Sequence, residues 1–166
     1  MANCQIINLK DQPQWLPLLA GWHFDQWASY YPGQTLQDFE RDLKASTCSD
    51  GIPQTFVAMV NDKPVGSASL LADDFEPRPN LTPWLASVYV DPSHRRQGIA
   101  SQLIAAVEQH AAELAIARLY LFTPDQQHLY RVSGWQDHEI VEHTGRRFSV
   151  MTKRLDYQNG SSNKTA

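Results

Sequence analysis

No stretch of this sequence approaches the roughly 20 consecutive apolar residues that a membrane-spanning helix needs. The N-terminus has no basic stretch leading into an apolar one, so no secretory leader is expected either. Cysteine is scarce: Cys4 and Cys48 stand alone, without a Cys/His cluster around them. A disulfide scaffold is therefore not expected, and two reduced thiols in a cytoplasmic protein are. The six histidines show no metal-ligand spacing, so no metal is expected. Positive charge is not in excess. A formal net charge of -4 argues against a nucleic-acid-binding surface and permits a cationic partner such as an amine.

What is present suits one globular domain. The chain has 166 residues, 42% apolar and 19% charged, enough to bury a core. Residues 1–155 are expected to form the domain. The polar run from Asp156 to Ala166 is expected to be a disordered tail. No internal repeat is visible. Whether the domain is a monomer or a homodimer is left open.

Residues 4–9 read as a first strand. A Trp- and Leu-rich helical segment then runs from Pro13 to the Pro32-Gly33 stop. On it Trp15, Leu18 and Trp22 share a face expected to be core, whereas His23 and Asp25 are expected at the surface. Thr35 is an N-cap for a second helix through Lys44. Gln54–Val60 and Val65–Leu71 form a hairpin about Asn61-Asp62-Lys63-Pro64. A polar loop from Asp73 to Pro83 leads into Trp84–Val90, apolar enough for a strand buried on both faces. A long helix follows Asp91-Pro92, with Ile99, Leu103, Val107 and Leu114 on one side. Arg118–Phe122 is a strand, and Thr123-Pro124 opens a short helix that ends at Ser133-Gly134. Two further strands flank Thr144-Gly145. The expected fold is α/β of the mixed kind (α+β), with a mostly antiparallel central sheet of about seven strands and helices on both faces.

The chemistry concentrates between Ser87 and Ser101. A buried strand runs into a turn and then into a helix whose first residues are basic, Gly and small. The first N–H groups of a helix lack internal partners and carry partial positive charge. Gly98 and Ala100 clear side chains from that end, while Arg95 and Arg96 add charge, so a pyrophosphate-shaped anion suits it. The same residues also read as a basic, solvated helix start, because short Gly motifs match by chance.

The segment Arg95-Arg96-Gln97-Gly98-Ile99-Ala100 resembles the Arg/Gln-x-x-Gly-x-Gly/Ala signature of the GNAT superfamily of acetyl-CoA-dependent N-acetyltransferases, with Ala100 at the position that is more often Gly. Its setting, after Val90-Asp91-Pro92 and before a helix carrying Leu103 and Ile104, is similar too. The resemblance implies acetyl-CoA as cosubstrate, with Arg95, Arg96, Gln97, Gly98, Ile99, Ala100 and Ser101 around its pyrophosphate. It further implies main-chain contacts from Val88, Tyr89 and Val90 to pantetheine. Leu129-Tyr130-Arg131-Val132-Ser133-Gly134-Trp135 is similar to the family's Leu-Tyr-x-x-x-Gly-Phe, which implies that Tyr130 protonates the leaving thiolate; packing is its other reading.

Two departures from the family pattern stand out. Thr123 occupies a helix start where many relatives carry Asn, and reads as an N-cap. Neither Trp84-Leu85-Ala86-Ser87 nor Leu119-Tyr120-Leu121-Phe122 carries the carboxylate that relatives often use as a base. The base is then elsewhere, or water relays the proton. On the acceptor side Trp27, Asp74 and Trp84 are candidate contacts, with Asp73, Asp74 and Glu76 forming an acidic rim that would attract a protonated amine. The expected reaction moves an acetyl group from acetyl-CoA to a primary amine of a small molecule or of a peptide or protein N-terminus. A non-catalytic acyl-CoA-binding regulatory module is the alternative.

Overall fold

A computed structural model describes residues 3–155, so the expected tail lies outside the described residues. Its strands are β1 (Cys4–Asn8), β2 (Gln54–Val60), β3 (Lys63–Leu71), β4 (Trp84–Val90), β5 (Arg118–Thr123), β6 (Gln136–His143) and β7 (Arg146–Arg154). The helices are α1 (Leu16–Trp27), α2 (Leu36–Ala45), α3 (Ile99–Glu113) and α4 (Gln127–Val132). All seven strands form one sheet in the order β1-β2-β3-β4-β5-β7-β6. Only β4 and β5 run parallel, joined by the crossover through α3. This is the mixed, mostly antiparallel sheet that the sequence predicts.

Alternation along the strands divides the core between two faces. Ala58 of β2 packs with Ile99, Leu103, Ile104 and Val107 of α3. Its neighbours Val57 and Met59 pack instead with Leu9, with Leu19 and Ala20 of α1, and with Leu43 of α2. Farther along the sheet, on the face that carries α1, Phe75, Trp84, Val141, Phe148 and Val150 make a third cluster. α2 starts as expected: Thr35 accepts from Asp38 N–H and Asp38 accepts from Thr35 N–H, so two end groups that lack helical partners are satisfied together.

Several expectations shift. The segment from Pro13 is not one helix: a 3-10 turn over Pro13–Trp15 precedes α1 and another over Ala28–Tyr30 follows it. α1 turns Leu19, Ala20 and His23 inward. Leu18 is exposed, and Trp15 and Trp22 are half-buried at the margin. The inward stripe at i, i+1 and i+4 is set by the smaller side chains, because bulky indoles fit the border better than the closest helix–sheet contact. The β2–β3 turn needs only Asn61 and Asp62, both at positive φ, and Lys63 and Pro64 join β3. Leu114 lies beyond α3 and is partly exposed, because Ala115 adopts φ +63° there; Ala111 fills the inward position.

Candidate active site

β4 is not uniform. Trp84, Leu85 and Ala86 are buried, but Ser87 to Val90 are only half-buried, so the strand leaves the core midway. Ser67 of β3 pairs with Tyr89 and Ser69 pairs with Ala86, which leaves Ser87 and Val88 opposite Ala68. That extra residue is a β-bulge, and Ser87 takes φ +54° within it. The bulge breaks the alternation: Leu85, Val88 and Val90 all reach the α3 side. Tyr89 turns to α1, where it stacks on Trp22 at 5.1 Å. Gly66 permits the close approach of β3, since a Cβ there would lie 2.7 Å from the Tyr89 carbonyl oxygen.

β4 and β5 meet only at Trp84 and Tyr120. Beyond that pair they diverge, and the edge of β4 that faces β5 has no strand beside it from Ala86 to Val90. The sheet is split there.

One end of the split leads to the start of α3. Asp91 turns the chain: its N–H donates to the Val65 carbonyl at 2.8 Å, and its carboxylate accepts from Ser93 and from His94 Nδ1. Gly98 caps α3 at φ +78° without a side-chain bond, and a Cβ there would meet nothing within 4 Å. The first α3 N–H groups therefore face an open cradle. The two arginines part company. Arg95 Nε donates to the Val90 carbonyl at 2.9 Å, pinning the loop to the strand end. Arg96, exposed and at φ +63°, forms no side-chain bond among the described residues. Gln97, Gly98 and Ser101 are exposed and Ala100 half-buried, whereas the Ile99 side chain sits in the core.

Tyr130 stands on α4 on the α3 side of the sheet, in one cluster with Leu121 and Ile99 and with Val88 and Val90 at its margin. Its ring meets Trp135 edge-on at 6.3 Å. Its phenol has no hydrogen-bond partner among the described residues, and burial, helped by Asp125, pushes its pKa up to about 12. Thr123 is not the helix N-cap. It remains the last residue of β5, and its Oγ1 accepts from Gln126 N–H at 2.9 Å, holding the turn before α4 begins at Gln127.

On the α1 face the structure separates the three acceptor-side candidates. Trp27 is half-buried, edge-on to His23 at 5.1 Å and to Tyr89 at 6.4 Å. Asp74 is half-buried in the loop after β3, and desolvation lifts its carboxyl to about 7. Trp84 is fully buried, its indole N–H bonded to the Leu81 carbonyl at 2.6 Å, so it offers a substrate no surface.

The surface expectation for His23 is overturned, while Asp25 is exposed. The imidazole is buried against β3, Nε2 2.9 Å from Ser67 Oγ, and desolvation lowers its pKa to about 4. Phe75 is a residue the sequence reading passed over. It stacks on Phe122 at 4.4 Å and meets Trp84, Phe148 and His143 edge-on. The available signal was the pair of apolar residues, Phe75 and Leu81, inside an otherwise polar loop. Among the described residues no group of His, Cys, Asp or Glu could hold a metal ion, and no helix is long and apolar enough to cross a membrane.

The sequence model of the acetyltransferase (GNAT) family matches residues 16–135. Among solved structures, an N-acetyltransferase from Staphylococcus aureus Mu50 superposes with a TM-score of 0.73 at 18% identity, covering 93% of this chain and 100% of its own. A ribosomal-protein-alanine N-acetyltransferase from Brucella melitensis gives 0.70 at 20% identity, over 91% and 99%. The yncA protein of Salmonella typhimurium, solved with its cofactor acetyl-CoA, gives 0.71 at 15% identity, over 94% and 96%. At these identities the likeness is one of fold. Among curated proteins, none matches the sequence.

Proposed function

Since the chain belongs to the GNAT family of acetyltransferases, we propose that it moves an acetyl group from acetyl-CoA to a primary amine by direct attack within the β4–β5 split. The observation that carries this reading is the juxtaposition of three features. The β4 edge facing β5 has no neighbour from Ala86 to Val90, a helix start without a side-chain cap lies at its end, and a phenol without a hydrogen-bond partner among the described residues stands on α4 behind it.

Acetyl-CoA supplies an acetyl group on a thioester. The N–H groups at the start of α3 and the Arg96 guanidinium suit its pyrophosphate, and the open space at Gly98 leaves room for phosphate oxygens against the backbone. Pantetheine takes the place of the missing strand, aligned by main-chain groups of Val88, Tyr89 and Val90 on the free edge of β4. Arg95 already holds the Val90 carbonyl, so Val88 and Tyr89 carry most of that alignment. Tyr130 keeps its proton throughout the neutral range and donates it toward the departing sulfur. Full transfer to a thiolate of ordinary pKa, about 8.5, is uphill by roughly 5 kcal/mol. The phenol therefore acts chiefly by hydrogen-bonding the sulfur as charge develops, and the proton crosses as the attacking nitrogen gives up its own.

The test has two parts. Calorimetry should show coenzyme A binding, and acetyl-CoA mixed with pools of primary amines and short peptides should release free thiol only when an amine is present. Binding without thiol release from any pool identifies the non-catalytic acyl-CoA-binding module instead. Absence of binding removes the cofactor site.

A further inference from the structure

The α1-facing mouth of the split carries one ionisable group for which the donor side has no use. We propose that Asp74 takes the proton from the acceptor, and that the acceptor is a cationic primary amine carried on a flat, apolar body; the inference rests on the acetyltransferase reading above.

Packing puts Asp74 at this mouth. The loop from Ala72 to Pro83 folds back over the sheet. Thr82 Oγ1 closes it onto the Ala72 carbonyl, and Arg78 straps it to Glu139 of β6 through bonds of 2.5 and 3.0 Å. Phe75, the next residue after Asp74, stacks on Phe122 of β5, within the stretch where β5 has left β4. Of the three acids in the loop, Asp73 and Glu76 point to solvent, and Asp74 alone is turned in. Its charge is felt by Tyr31, whose phenol burial and Asp74 together hold well above the usual range.

Asp74 lacks a counter-ion. Among the described residues it makes no hydrogen bond or ion pair. The arginines of this region are engaged elsewhere. Tyr31 comes from the α1–α2 connection, and His143 of β6 meets Phe75 edge-on at 5.9 Å. Arg146 of β7 lies 4.2 Å over the Tyr30 ring, and Arg78 is spent on Glu139. Asp73 and Glu76 can only add negative charge. A desolvated carboxylate without a cation is costly, and an arriving ammonium group supplies what is missing. Trp27 and Tyr31, half-buried on this face, offer flat apolar rings, which favour an apolar body beside the charge.

Asp74 carboxylate takes one proton from the ammonium, freeing the nitrogen lone pair. The C–N bond forms as the C–S bond breaks, and the electron pair leaves on sulfur, which receives the Tyr130 proton. The second nitrogen proton returns through water to Tyr130, and Asp74 releases its own to solvent. Alkylammonium groups have pKa values near about 10, so a proton acceptor is needed at neutral pH, and one poised near 7 is matched to that pH.

The experiment uses 2-phenylethylamine as probe, with ethylamine and 3-phenylpropionate as controls, on wild type, Asp74→Asn and Asp74→Glu. Binding to the coenzyme A-loaded protein and kcat/KM are both followed from pH 5.5 to 9. Wild type should bind and acetylate the probe well ahead of ethylamine, ignore the carboxylate, and show an acid limb near pH 7. Asp74→Asn should keep its coenzyme A affinity, lose the limb and fall at least 100-fold in kcat/KM, with partial rescue in Asp74→Glu. Turnover of amines that is untouched by Asp74→Asn overturns the inference and leaves the acetyltransferase reading standing. Preference for ethylamine overturns the substrate class. Asp74-dependent binding of the probe without transfer to any amine overturns the acetyltransferase reading while upholding the recognition site.

Discussion

His23 Nε2 lies 2.9 Å from Ser67 Oγ, and this buried contact fastens α1 to β3 directly behind Tyr89. The imidazole has little water around it, and its pKa falls to about 4. In the unfolded chain it titrates near about 6.5. Its contribution to stability is therefore fully present above about 6.5 and is lost as pH falls toward 4, because the unfolded chain binds the proton first. His23→Gln removes this slope and retains an amide able to reach Ser67. The unfolding free energy of wild type should drop between pH 6.5 and 4 by up to roughly 3 kcal/mol more than that of the variant. Parallel curves would mean that His23 is hydrated in solution.

Asp74 has the opposite sign. Its folded pKa is raised to about 7 by desolvation, so the folded state holds a proton that the unfolded chain has already released. Stability is highest below about 3.9, declines as pH rises toward 7, and stays low above it. Asp74→Asn should accordingly raise the melting temperature at pH 8 and change it little at pH 4. An equal effect at both pH values would show an ordinary, hydrated carboxylate.

Phe75 tests whether the loop is held by its ring. It is buried and touches four other rings, so Phe75→Ala should cost about 3–5 kcal/mol in urea unfolding. Because Asp74 is placed by that ring, its pKa should also relax toward about 4, visible by carbon NMR of the carboxyl group. A small loss of stability with Asp74 unmoved would show that the Arg78–Glu139 strap suffices.

At the start of α3 the two arginines and Gly98 separate by experiment. Gly98→Glu places bulk and negative charge in the open cradle and should weaken coenzyme A binding at least 10-fold, beyond the backbone strain that Gly98→Ala reports at φ +78°. Arg96→Ala should weaken binding mainly at low salt. Arg95→Ala should weaken it at every salt concentration, since Arg95 acts by holding the Val90 carbonyl. Coenzyme A affinity unchanged in Gly98→Glu would mean that the pyrophosphate sits elsewhere.

The helix start proposed to hold the cofactor was legible as local structure, because its information is local. Gly98, Ala100 and the two arginines fall within six consecutive residues, and a helix start needs nothing distant to attract an anion. The individual strands followed from apolar runs and from turn residues such as Thr144-Gly145, whereas their order in the sheet, with β7 between β5 and β6, came only from the structure. The acceptor half was not legible, because its members meet only through tertiary packing. Nothing beside Asp74 in sequence says that Asp73 and Glu76 stay in solvent while it turns in. That depends on Phe75 finding Phe122, 47 positions away. The phase of α1 was misjudged for a related reason: helical spacing alone serves Trp15, Leu18 and Trp22 as well as Leu19 and His23. Which stripe packs depends on its distant partners: Leu19 and Ala20 close on Leu9, Val57 and Met59, while Trp22 is left at the margin against Tyr89.

Tyr130 carries the last prediction. Its ring is packed against α3 and Trp135, but its hydroxyl has no partner among the described residues, so removing the oxygen leaves the packing intact and orphans no donor. Tyr130→Phe should therefore keep its melting temperature and its coenzyme A affinity. Turnover should nevertheless fall, by roughly 100-fold or more if the phenol stabilises the departing sulfur. The loss belongs in kcat, because charge develops on sulfur only as the C–S bond breaks and not while substrates bind. A phenol held near 12 acts more by hydrogen bonding than by outright proton transfer, so the wild-type rate should show no basic limb from Tyr130 below about pH 10. The penalty should also shrink with an acyl donor whose thiol is a better leaving group, since that sulfur needs less help. A purely structural tyrosine gives the reverse pattern, with a lower melting temperature and unchanged kcat per folded molecule. Measuring kcat, melting temperature and leaving-group dependence on one preparation separates the two, and full turnover in a stable Phe variant would take Tyr130 out of the reaction.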